Sequence, residues 1–271
     1  MATMRDVRSV LAAATLAVIG ATLPGDAAEP SGTAIAVNPS AQADSGPGFR
    51  VLVNDGAVYS GDKIVTGPRG QAQIKFRDET KLVVGPNSSL TIDAFVYSGK
   101  AAREVSIDAV KGAFRFITGI SKKDAYSIST PTAVIAVRGT EFDFHVDRFD
   151  GQTEVVMFGG TTLVCPKTLP NGAPNTRQEG CVRASQACGM TIIPPSGGDI
   201  SQLKASEQRN AVINSDFRYI RNQDPLNPQF QVNIASCGHS AGYLNLPYSA
   251  PGPHGGNVQP SQQDGGGTGE E

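Results

Sequence analysis

"TPTAVIAVRGTEFDF", residues 130–144, holds two strand-like halves separated by a short polar interruption. Val134, Ile135 and Val137 lead into Arg138-Gly139-Thr140, after which Phe142, Phe144 and Val146 alternate with Glu141, Asp143 and His145. Alternation at a period of two places one set of side chains on a buried face and the other on the opposite face. Glycine at the interruption admits a close backbone approach or a positive φ, and arginine and threonine can serve carbonyls at a kink. The stretch therefore reads as two strands joined by a bend. Arg138 and Thr140 are its candidate ligand contacts, because a guanidinium pairs with carboxylate or phosphate. No second basic residue lies nearby in sequence to converge on the same anion, so the bend is the preferred reading.

The same spacing extends in both directions. "FRVLV", "AVYSGDKIVT", "QAQIKF", "KLVVG" and "LTIDAFVY" lie upstream, and "REVSIDAVKGAFRFITG", "AYSIST", "TEVVMFGG" and "TTLVC" complete the series. In "QAQIKF", Ala72, Ile74 and Phe76 share one face, and Gln71, Gln73 and Lys75 share the other, which such a pattern leaves for water. Gly61-Asp62, Gly139 and Gly85-Pro86-Asn87 mark structural turns, as does Asp78-Glu79. About a dozen short strands over residues 49–165 predict an all-β sandwich or roll.

Composition agrees. The chain has 271 residues, 31 glycines, 18 prolines, no tryptophan and a formal charge of −2, with both signs interspersed. Nucleic acid is not expected as a partner, since no basic stripe is present. Arg5 and Arg8 precede the apolar run Val10–Leu23, and Gly25-Asp26-Ala27 follows Pro24. This predicts a signal peptide over residues 1–27, cleaved near Ala27, and a periplasmic or secreted protein with no membrane span after cleavage. Residues 28–48 read as a flexible lead-in.

Cys165, Cys181, Cys188 and Cys237 all lie in the second half of the chain. An even number in an exported protein predicts two disulfides, and three pairings are open. Residues 166–240 read as a loop-rich extension pinned by those bonds. It contains one helix near 201–221, with Ser201 as cap and Leu203, Ala211, Ile213 and Phe217 as its apolar stripe. Residues 241–271 read as a disordered tail.

Catalytic chemistry finds little support. His145, His239 and His254 are the only histidines, and neither G-x-S-x-G nor H-E-x-x-H occurs. Asp143, His145 and Asp147 share a strand face, but positions i and i+4 lie about 13 Å apart, too far for one ion. They read as a solvated face. No cofactor, metal or enzymatic activity is expected.

Three segments together resemble the FecR-type domain: "SGDKIVTGPRGQAQIKFRDETKLVVGPNSSLTID", "VKGAFRFITG" and "YSISTPTAVIAVRGTEFDFHV". The resemblance implies a strand-rich extracytoplasmic domain without catalytic activity. The best-known relatives cross the inner membrane and relay a transporter's iron-loaded state to a sigma factor. Here a cleavable signal stands where their cytoplasmic segment and membrane helix would be, so the periplasmic module alone carries over. The expected function is a non-enzymatic periplasmic binding or interaction module for an envelope protein or polymer, with an adaptor role in envelope sensing. A structural envelope component and an envelope glycan hydrolase are the competing readings, and the oligomeric state is open.

Overall fold

The computed structural model describes residues 28–46, 48–195, 200–203 and 216–237. The expected signal peptide and tail lie outside them. In chain order the strands are β1 (Gly32–Asn38), β2 (Ala41–Asp44), β3 (Phe49–Leu52), β4 (Gly56–Val58), β5 (Lys63–Thr66) and β6 (Gln71–Phe76). Next come β7 (Lys81–Val84), β8 (Ser89–Tyr97), β9 (Ala102–Ile117), β10 (Tyr126–Ser129), β11 (Ala133–Val137) and β12 (Glu141–Val146). The last are β13 (Thr153–Gly159), β14 (Thr162–Pro166), β15 (Val182–Ala184), β16 (Met190–Ile193) and β17 (Ser201–Leu203). One helical turn, α1 (Arg218–Arg221), and two 3₁₀ turns follow. Twelve of these strands, β3–β14, occupy the stretch in which alternation predicted about a dozen.

Strand pairing resolves into two ladders. One runs β4-β1-β6-β7-β9-β12-β13-β16-β17, antiparallel throughout. The other runs β3-β2-β5-β8-β9-β10-β11-β14-β15, in which only β9–β10 is parallel. Strand β9 belongs to both. Its first part pairs with β8 and β10, and its last six residues pair with β12. Gly112 sits at the change of ladder with φ +106, and a Cβ there would lie 2.1 Å from Ser88 Oγ. Only glycine fits this bend. Both ladders turn their apolar sides into one core, where Ile64, Leu90 and Ile107 of one meet Ile74, Phe114 and Phe144 of the other.

Three expectations need correction. The flexible lead-in 28–48 contains β1 and β2, and β1 is an inner strand between β4 and β6. The most buried core residues of these two strands are alanines, Ala34 in β1 and Ala41 and Ala43 in β2, all essentially inaccessible. Small side chains amid Ser, Gly and Pro hide a strand, although close-packed ladders need them. The helix near 201–221 is a strand at Ser201–Leu203 and a single helical turn at Arg218–Arg221; residues 204–215 lie outside those described. The third concerns the face of Gln71 and Gln73, which is covered rather than wet. Residues 216–237 lie across it, and the two glutamines are 7% and 2% exposed.

Candidate functional site

Several of the turn residues singled out in the sequence are buried pins. Asp62 is inaccessible and accepts from Ser45 Oγ at 2.6 Å, the Tyr59 amide at 2.8 Å and both Nη atoms of Arg50. Burial alone would raise its pKa, but these donors together hold it below the ordinary carboxylate value. Asp78, also inaccessible, accepts from Thr80 Oγ1 at 2.9 Å, Ser121 Oγ at 2.7 Å and Tyr126 Oη at 2.9 Å. It thereby fastens the β6–β7 turn to the loop before β10. Thr66 Oγ1 donates to Gly85 O at 2.6 Å and accepts from the Ser88 amide at 3.0 Å, closing the Gly85-Pro86-Asn87 turn. Charge-assisted bonds in a dry site hold turns more firmly than neutral exposed ones.

Arg138-Gly139-Thr140 is the point where the chain crosses from β11 in one ladder to β12 in the other. Gly139 has φ +74. Arg138 is exposed, whereas Thr140 is 2% exposed and its Oγ1 has no hydrogen-bond partner among the described residues. The hydroxyl that serves the crossover belongs to Thr118. Its Oγ1 accepts from the Thr140 amide at 2.9 Å and donates to Thr140 O at 3.2 Å.

Sequence reasoning missed Arg115. Its side chain is fully buried and donates to Asp143 twice, from Nε at 2.6 Å and Nη2 at 2.9 Å. Nη1 donates to Gln223 Oε1 and reaches Phe230 O at 3.4 Å. The guanidinium lies near the rings of Phe158 and Tyr219. Asp143 therefore leaves the solvated face to which the sequence assigned it. Burial pushes its carboxyl above the ordinary aspartate range, and the Arg115 charge opposes that shift. A signal was present: Arg115 and Asp143 each sit between two core phenylalanines, and pairs of opposite sign facing each other across a ladder are stabilising.

What covers this pair is the extension. Tyr219 Oη donates to Gln71 Oε1 at 2.9 Å, and the Asn227 amide donates to Gln73 Oε1 at 2.8 Å. Tyr219, Leu226 and Phe230 pack on Val83, while Phe217 and Ile220 pack on Val156 and Met190. Of the three open pairings, the cysteines form Cys165–Cys181 and Cys188–Cys237. The first closes the loop between β14 and β15. The second ties residue 237 to the segment before β16.

Two further features stand outside these pins. Strand β3 pairs with β2 alone among the described residues, so one backbone edge has no neighbouring strand. Phe49 and Val51, with Val53 just beyond, point outward from it at 72%, 64% and 59% exposure, while Leu52 points into the core. Three large apolar side chains in a row on an open edge are what monomeric proteins ordinarily avoid. The second feature is a cluster of His145, Glu154 and Asp216, whose ligand atoms lie within 4.8 Å of one another. His145 thus joins Glu154 across the ladder rather than Asp143 or Asp147 along the strand. Burial raises the Glu154 carboxyl to about 7, with Asp216 adding to the effect, and burial lowers His145.

Among the described residues no helix is long and apolar enough to cross a membrane. Residues 62–162 match the family model described as FecR protein. No curated protein matches the sequence. Two crystal structures, both of a "putative anti-sigma factor" from Parabacteroides distasonis, are similar to the chain at 14% identity and a TM-score of 0.41. The similarity covers 52% of this chain and 59% of theirs.

Proposed function

We propose that this chain, with its FecR-type domain over residues 62–162, is a partner-binding module of an envelope sensing or signalling system. The observation that carries the reading is the β3 edge. A partner strand laid along it would take up the free backbone groups and cover Phe49, Val51 and Val53, which is recognition by β-strand addition. Asp62, Thr66 and Asp78 are occupied in holding turns, and the open β3 edge supports recognition through a surface. Two disulfides support an exported, oxidising location. The family match supports a signalling reading, and the adaptor role is proposed on that basis.

A photo-crosslinking residue at Val51, compared with one at the exposed Arg177, tests this in cells. Capture of one membrane regulator or transporter from Val51 only, abolished when Phe49→Asp is added, is the expected result. Equal capture from both positions, or self-crosslinks alone, would overturn the adaptor reading and favour an envelope-structural role.

A further inference from the structure

We propose that His145, Glu154 and Asp216 form a binding site for a divalent transition-metal ion, with zinc the best fit to the ligand set. The three residues come from β12, from β13 and from the segment entering α1. His145 and Glu154 are direct partners across the ladder, which brings their Cβ atoms to about 5 Å. Asp216 is delivered from above by the extension, and Phe217 beside it presents its ring edge to His145 at 6.4 Å between centroids.

Glu154 supplies the second, independent observation. Its side chain is 6% exposed, and Oε1 accepts from Gln152 Nε2 at 2.9 Å. Oε2 is fully buried, aims into the cluster and has no hydrogen-bond partner among the described residues. The His145 Nδ1 atom is 3.9 Å from it, beyond a hydrogen bond. Buried carboxylate oxygens rarely go unpaired, since the desolvation cost is then uncompensated. A cation between the three groups would satisfy Oε2 and balance the two carboxylates.

The ligand chemistry selects the ion. An imidazole nitrogen with two carboxylates suits zinc and its neighbours, whereas calcium and magnesium prefer oxygen alone. Ligand atoms around a tetrahedral zinc ion stand about 3.4 Å apart for bonds of about 2.1 Å, so a spread of 4.8 Å closes with small rotamer adjustments. The Gln152 contact orients the Glu154 carboxylate, the task outer hydrogen bonds perform at metal sites. His145 and Asp216 are half-buried, so the cluster keeps some contact with solvent. This site stands independently of the β3 surface.

Titrating zinc chloride into the untagged full chain, with both disulfides formed and chelator removed, tests the assignment by calorimetry. One ion per chain is expected, with a rise in Tm, and Co²⁺ should give visible ligand-field bands. Asp216→Asn and His145→Ala should each weaken zinc by at least about tenfold, no less than loss of an outer-shell group costs, and remove the bands. Asp216 is half-buried where Glu154 is buried, so its variant remains informative if Glu154→Gln does not fold. Absence of saturable binding by Zn²⁺, Co²⁺ and Mn²⁺ would overturn the proposal. So would unchanged zinc affinity in both variants, which would place the ion elsewhere in the chain.

Discussion

Arg115 and Asp143 stand directly opposite each other on β9 and β12 and share two hydrogen bonds beneath the C-terminal extension. Through Gln223 and Phe230 the same guanidinium reaches the extension itself. One buried charge pair therefore registers two central strands and docks the segment that covers them.

Removing one partner of this pair should be severe. Asp143→Ala leaves an uncompensated buried guanidinium, and a loss of about 3–5 kcal/mol is expected. Arg115→Met with Asp143→Leu should recover much of that loss, because an apolar pair carries no desolvation cost. Urea denaturation of the two variants checks both statements; equal losses would show that the charges themselves are required.

At the β11–β12 crossover, the glycine and the arginine beside it should behave differently. Gly139→Val forces a branched side chain to φ +74, at a cost of about 1–2 kcal/mol, although a Cβ there would meet only the Lys123 side chain, at 3.7 Å. Arg138→Ala truncates an exposed side chain and should change stability by less than about 0.5 kcal/mol. Thermal melts separate the two. A large loss for Arg138→Ala would show that its side chain holds the bend.

Acid stability should depend on Asp62. Its folded pKa lies below the unfolded value, so its contribution is complete above about pH 5 and is lost as pH falls through the unfolded and then the folded pKa. Asp62→Asn should lower Tm at neutral pH and flatten the decline of Tm below about pH 4. A variant whose acid limb paralleled wild type would exclude this residue as its source.

The two disulfides should also be unequal. Cys188–Cys237 spans 49 residues and Cys165–Cys181 spans 16. On the loop-closure model these correspond to about 4 and about 3 kcal/mol. Beyond that difference, replacing Cys188 and Cys237 by alanine should release the extension and expose tryptic sites after Arg218 and Arg221, whereas loss of the shorter bridge should not. Limited proteolysis with mass spectrometry distinguishes the outcomes, and four free thiols in the native protein would remove the premise.

By itself the sequence determined the strand-rich fold, the turns and the presence of a bend at Arg138-Gly139-Thr140. Each rests on local physics: a period-two apolar pattern, residues that bond their own backbone, and a glycine where φ must be positive. Partial signals went unread where a strand is buried on both faces. Gln71, Gln73, Asp143 and Glu154 look like solvent-facing positions until residues 216–237 fold over them, and that placement depends on contacts formed across some 150 positions of chain. The strands β1 and β2 escaped notice for the opposite reason, since alanines that pack well against a ladder carry little hydrophobic signal. Tertiary structure alone decided the disulfide pairing, the open apolar edge of β3 and the meeting of His145, Glu154 and Asp216. None of these could be read locally, because each is fixed by which strands become neighbours and by where the extension comes to rest.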